Sequence, residues 1–220
     1  MSIFDKIKAS LNKSAKQVKD LAKDFNTDRR ITLEKKPGDL EELKAAVDVG
    51  DPGSVAAYWV YAVACLGVDY DTGMSMMKYL FADLEPYGRG FTEGGGAGRA
   101  GWDPGFNERL KDDDFRWLPR AYFVGAKADN GFNPPEPLAV DLHYNRHNTE
   151  ASNEQSFKAL GRLNVVYWVQ SNAAGNKVNI TLSKFDGSER WYVTSGISSS
   201  GLFYDQRAGL TAEARKKLYQ

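Results

Sequence analysis

Asp141 and His143 stand two residues apart in "AVDLHY", where Leu138, Val140, Leu142 and Tyr144 alternate with Ala139, Asp141, His143 and Asn145. A period of two is strand geometry, so the carboxylate and the imidazole share the wet face of one strand and can couple as acid and base. They are the candidate catalytic residues, although two solvated surface side chains are the plainer expectation. His147 follows four residues on. That spacing suits two metal ligands on a helix, but here the first histidine falls on the strand and the second in the loop after it. No metal and no cofactor is expected.

Other patterns carry less chemistry than their letters suggest. "GAGRAG", Gly96 to Gly101, spells G-x-G-x-x-G. A dinucleotide fingerprint needs a strand before it and a helix after it, whereas a helix precedes this one and Gly101-Trp102-Asp103-Pro104-Gly105 follows. "DTG" at Asp71 to Gly73 has no second copy and falls at a helix start, where capping is the expected role. Asp112, Asp113 and Asp114 could hold a hard cation, but adjacent acids in a loop are usually just solvated. The single cysteine, Cys65, lies in an apolar run with nothing to activate it.

Two segments could anchor a partner. Residues 2–25 carry apolar side chains at three- and four-residue steps, including Phe4, Ile7 and Leu11, beside six lysines and three aspartates. Such a basic amphipathic helix docks on its own core, in a partner's groove or on an anionic membrane surface. "FRWLPRAYF" mixes Trp117, Arg120 and Tyr122 and suits either a protein partner or a loop pinned to the core by its aromatics.

The elements that must position these residues divide in two. Asp39 reads as the N-cap of a helix ending near Gly50, and "DPGSVAAYWVYAVACLG" and "DTGMSMMKYLFADL" read as two more helices. A short extended piece covers residues 30–33. Beyond Pro137, "LNVVYWVQ" is apolar on both faces, as a central strand would be, and Asp186-Gly187 offers a hairpin turn. The expectation is one α+β domain over 1–220: helices in 1–86, an irregular glycine, proline and aromatic connection in 87–137, an antiparallel meander in 138–195, and a loop with a final helix in 196–220.

Composition narrows the classes. The 220 residues are 42% hydrophobic and 26% charged, and their formal net charge is zero. No overall field draws the protein to nucleic acid, which is not expected as a partner. One cysteine fits a reducing compartment, and no run is apolar enough to span a membrane, so a cytoplasmic location is expected.

The stretches "FDKIKASLNKSAKQVKDLAKDFN", "WLPRAYFVGAKADNGFNPPEPLAVDL" and "VNITLSKFDGSERWYVTSGI" resemble an uncharacterised family of bacterial proteins classed only as a domain of unknown function. That resemblance implies a cytosolic α+β protein and supplies no active-site residues. The leading expectation is a non-catalytic binding or protein-interaction protein, with the first helix and the Trp117 to Tyr122 segment as its surface. An enzyme using Asp141 and His143 under a loop lid and a peripheral membrane protein are the alternatives. The oligomeric state stays open.

Overall fold

The computed structural model of the protein describes residues 27–81, 116–160, 162–173, 177–185 and 187–196, with Phe25, Leu110 and Gly175; for 155–160 it describes the backbone alone. Strand β1, Arg29–Thr32, comes first, and helices α1, Leu40–Ala46, α2, Pro52–Cys65, and α3, Tyr70–Leu80, follow. Strands β2, Ala139–Tyr144, β3, Arg162–Gln170, β4, Lys177–Phe185, and β5, Trp191–Ser195, make up the second half. Helix α4, Arg146–Leu160, lies between β2 and β3. The protein is α+β, with N-terminal helices against a five-stranded antiparallel sheet in the order β1-β2-β3-β4-β5.

Each N-terminal helix begins where an aspartate can take an orphan backbone N–H. Asp39 accepts from the Glu42 N–H at 2.8 Å, Asp51 from that of Gly53 at 3.0 Å, and Asp69 from that of Thr72 at 3.1 Å. Asp69 therefore caps α3, and Asp71 of the "DTG" triplet is the second residue of the helix, within its first turn. This corrects the expectation that the triplet caps the helix: the helix begins at Tyr70, so Asp69 stands three residues before the free Thr72 N–H and takes the role.

Helix α2 is apolar nearly all round and lies across one face of the sheet, touching β1, β2, β4 and β5. Val55, Trp59, Val60 and Val63 share one hydrophobic cluster with Val140 and Leu142 of β2, Val165 of β3 and Ile180 and Leu182 of β4. Gly73 lets α3 close on α2, because a Cβ there would stand 2.7 Å from the Leu66 backbone nitrogen. The predicted central strand, "LNVVYWVQ", is β3 at the middle of the sheet.

Helix α4 is a departure from the sequence expectation, which leaves His147 in a loop and fills 138–195 with strands alone. Over residues 146–154, where the side chains are described, it carries no apolar stripe, the usual sign of a docked helix. Over those residues it docks through polar side chains. Strands β2 and β3 pair only at His143 with Trp168 and Tyr144 with Tyr167, and the Asn145 N–H then donates to the Val166 carbonyl. Past that point β3 has no strand neighbour on this side among the described residues, and α4 takes that place. Thr149 Oγ1 accepts from the Val166 N–H at 2.9 Å, and the Asn153 amide both accepts from the Asn164 N–H at 2.6 Å and donates to the Asn164 carbonyl at 2.9 Å. Asn145, Thr149 and Asn153 are spaced by four, so one helix face supplies what a strand edge would.

Candidate functional site

The alternation of β2 sends Val140 and Leu142 into the core and leaves Asp141 and His143 on the opposite face. Strand β1 pairs with β2 so that Arg30 lies directly across from Asp141. Its Nε and Nη2 donate to the two carboxylate oxygens at 2.7 and 2.8 Å, a bidentate geometry that holds the Asp141 carboxyl below its ordinary pKa.

Asp28 extends the same arrangement by one step. Its Oδ1 accepts from the Tyr144 backbone N–H at 2.8 Å and its Oδ2 lies 2.9 Å from His143 Nδ1. The bond to His143, helped by that backbone N–H, lowers the Asp28 pKa. Across the sheet His143 stacks on Trp168 of β3, with ring centres 3.9 Å apart and planes 16° from parallel. Lys177 Nζ stands 4.2 Å from the centre of the Trp168 ring.

A polar cleft of about 300 Å³ opens at Asp141 and His143. Gln170 and Asn172, at and just beyond the end of β3, line it together with Tyr122, Val124 and Gly125. The short 3₁₀ turn Leu118–Tyr122 and the loop after it are fastened to the sheet at two points. The Val124 N–H donates to the Ala139 carbonyl at 2.8 Å, and Asn172 donates its backbone N–H to the Ala121 carbonyl and its side-chain amide to that of Phe123, both at 2.8 Å. Gly125 takes a φ of +78°, and a Cβ there would meet Pro135 at 2.7 Å. Only glycine allows this turn of the rim.

Asp141 and His143 therefore share one cleft, with side chains 41% and 34% exposed, and each is bonded to a different partner from the β1 side. With Nδ1 of His143 directed to Asp28, Nε2 is the ring nitrogen left for a ligand or a proton. Among the described residues that line the cleft, the groups able to bind or to move a proton are Asp141, His143, Gln170 and Asn172. Among the described residues no group of three or more histidine, cysteine, aspartate or glutamate side chains could hold a metal ion.

The candidate partner surface fares differently. Trp117 is 1% exposed and stacks on Phe132 at 4.4 Å, and Tyr122 is 3% exposed, so the protein's own core covers both rings. The same rings that suit a partner pin this loop to its own sheet. Arg120 is half-buried and donates to Asn133 Oδ1 at 2.6 Å. Phe4, Ile7 and Leu11, the Gly96 to Gly101 loop, Asp112 to Asp114 and the expected last helix lie outside the described residues. His147 is exposed in the first turn of α4, and burial pushes the Cys65 thiol up to about 11, where it is inert.

Asp28, Arg30, Trp168, Gln170 and Asn172 escape a reading of the sequence. Arg30 and Asp141 are 111 residues apart, and only the β1–β2 register brings their opposite charges together. The one signal available was Arg30 in a short extended segment, with nothing to say which strand it joins.

A family described as "Domain of unknown function (DUF6935)" matches residues 35–208, well over half of the chain. The chain belongs to that family. The DUF6935 match takes in Asp141, His143, Gln170 and Asn172, whereas Asp28 and Arg30 precede it. No curated protein and no solved structure gives a significant match. Among the described residues no helix is long and apolar enough to cross a membrane.

Proposed function

We propose that this protein is a non-catalytic binding protein and that the cleft at Asp141 and His143 is its ligand site. The observation that supports the reading is a small polar cleft whose Asp141 and His143 side chains are held in place by Arg30 and Asp28. Concave sites with a few convergent polar groups are where small molecules bind. Among the described residues the one large, strongly exposed apolar side chain is Val68, which is too little for a protein-docking surface. With one cysteine and the resemblance of its opening and middle segments, we place the protein in the bacterial cytoplasm.

Thermal unfolding against a panel of sugars, amines, carboxylates and phosphates tests the proposal. A ligand at 100 times its Kd adds about 2.7 kcal/mol. The expected result is a stabilising ligand whose effect is lost in Gln170→Ala. A panel without effect, or a ligand indifferent to that substitution, overturns the proposal. The contact between Asp28 and His143 Nδ1 favours a second reading, an enzyme with His143 as its base. It predicts that the ligand is turned over and that turnover stops in His143→Gln while binding persists.

A further inference from the structure

We infer that the cleft takes an uncharged, hydroxyl-rich ligand of the size of a monosaccharide or small cyclic polyol. This rests on the reading of the cleft as a binding site and adds the chemistry of what fits it. The starting point is charge. Among the described residues that line the cleft Asp141 is the one carboxylate, and Arg30 neutralises it through two hydrogen bonds, while the neighbouring Asp28 carboxylate is engaged by His143 Nδ1 and the Tyr144 N–H. A cationic ligand would have to displace a guanidinium bound at two points. An anionic ligand would meet Asp141 with Arg30 already engaged, and no lysine is among the described residues that line the cleft. The cleft thus selects against both signs of charge.

The remaining hydrogen-bonding positions are mixed. Each Asp141 oxygen accepts once from Arg30 and keeps a second lone pair. Asn172 donates its amide nitrogen to the Phe123 carbonyl and keeps Oδ1 as an acceptor. The Gln170 side chain makes no hydrogen bond among the described residues and offers both a donor and an acceptor, and His143 adds Nε2. A hydroxyl group is one donor and two acceptors and rotates to suit either. A ring bearing several of them matches such a set without bringing a charge. The half-buried Val124 supplies apolar wall for its C–H groups. About 300 Å³ is at the small end of ligand sites, roughly 300–1,000 Å³, and admits one ring and not a chain of them.

The test is an NMR titration of the full chain, following the Gln170 side-chain amide and the Val124 and Gly125 backbone amides. The neutral probes are D-glucose, D-galactose and myo-inositol, the anionic ones glucose 6-phosphate and inorganic phosphate, and the cationic ones ethanolamine and D-glucosamine. The expected result is saturable shifts with a neutral probe, weakened at least tenfold in Gln170→Ala, which replaces an exposed side chain at a strand end and leaves the other amide signals in place. Asp141→Asn supplies a second readout. It frees the Arg30 charge, so the preference should move toward glucose 6-phosphate over glucose. If charged probes bind the native cleft and neutral ones do not, the ligand class is wrong while the cleft remains a binding site. If no probe moves these signals, both readings fall.

Discussion

Replacing Thr149 by valine changes one buried hydroxyl to a methyl at nearly constant shape. Thr149 is 2% exposed, and its Oγ1 is the acceptor for the Val166 N–H at 2.9 Å. In the variant that N–H faces a methyl group and has no strand to turn to, because α4 occupies the position. A buried donor left without a partner costs about 1–3 kcal/mol. The new methyl offsets about 0.8 kcal/mol at most. The net loss is therefore about 0.2–2 kcal/mol, centred near 1 kcal/mol. With a urea m-value of about 2–3 kcal/mol/M, the midpoint should fall by about 0.5 M at unchanged m. Amide exchange locates the effect: Val166 should lose protection in Thr149→Val and keep it in Thr149→Ser, which retains the hydroxyl. A valine variant with the wild-type midpoint and a protected Val166 amide would refute the view that α4 docks through side-chain bonds to β3.

Two further outcomes follow from titration. Arg30 holds the Asp141 carboxyl below its ordinary value of 3.8, so the stabilisation is complete above that pH and disappears as pH falls through the lowered native value. Carboxyl-carbon NMR should place the Asp141 titration below that of an unfolded peptide, and Arg30→Met should return it to the ordinary range and flatten the loss of stability below pH 4. Burial raises the Cys65 thiol from 9.0 to about 11, so at pH 8 its thiolate is about 100-fold scarcer than in the unfolded chain. The greater nucleophilicity of a higher-pKa thiolate returns about tenfold, so reaction with a disulfide reagent should be at least about tenfold slower in native protein than in urea, and equal rates would contradict the burial.

The helices were readable where a cap and a composition agreed. Asp51, Pro52 and an apolar run specify α2 locally, and the alternation from Leu138 to Tyr144 specifies β2 and the face on which Asp141 and His143 sit. Helix α4 was not readable because apolar periodicity reports burial by the hydrophobic effect, and α4 is held by Thr149 and Asn153. Half of the site was hidden for another reason. Asp141 and His143 are neighbours in sequence, but Asp28 and Arg30 reach them only through the pairing of β1 with β2. Trp117 and Tyr122 show the converse limit: an aromatic segment announces that it will be covered without saying whether its own core or another molecule covers it.

A helix docked on an apolar stripe can slide or roll by a fraction of a turn and still cover much the same surface. The seam between α4 and β3 permits no such drift, because a helix rotates about 100° per residue and a one-residue slip would carry the Asn145 N–H and the Thr149 and Asn153 side chains off their β3 partners together. It acts as a detent with one stop. Since α4 begins one residue after β2 ends, that stop also sets how far Tyr144 and His143 extend along β3 before the chain turns away. The stacking of His143 on Trp168, and with it the position of one imidazole that lines the cleft, is gauged by a polar zipper on the neighbouring stretch of the same strand.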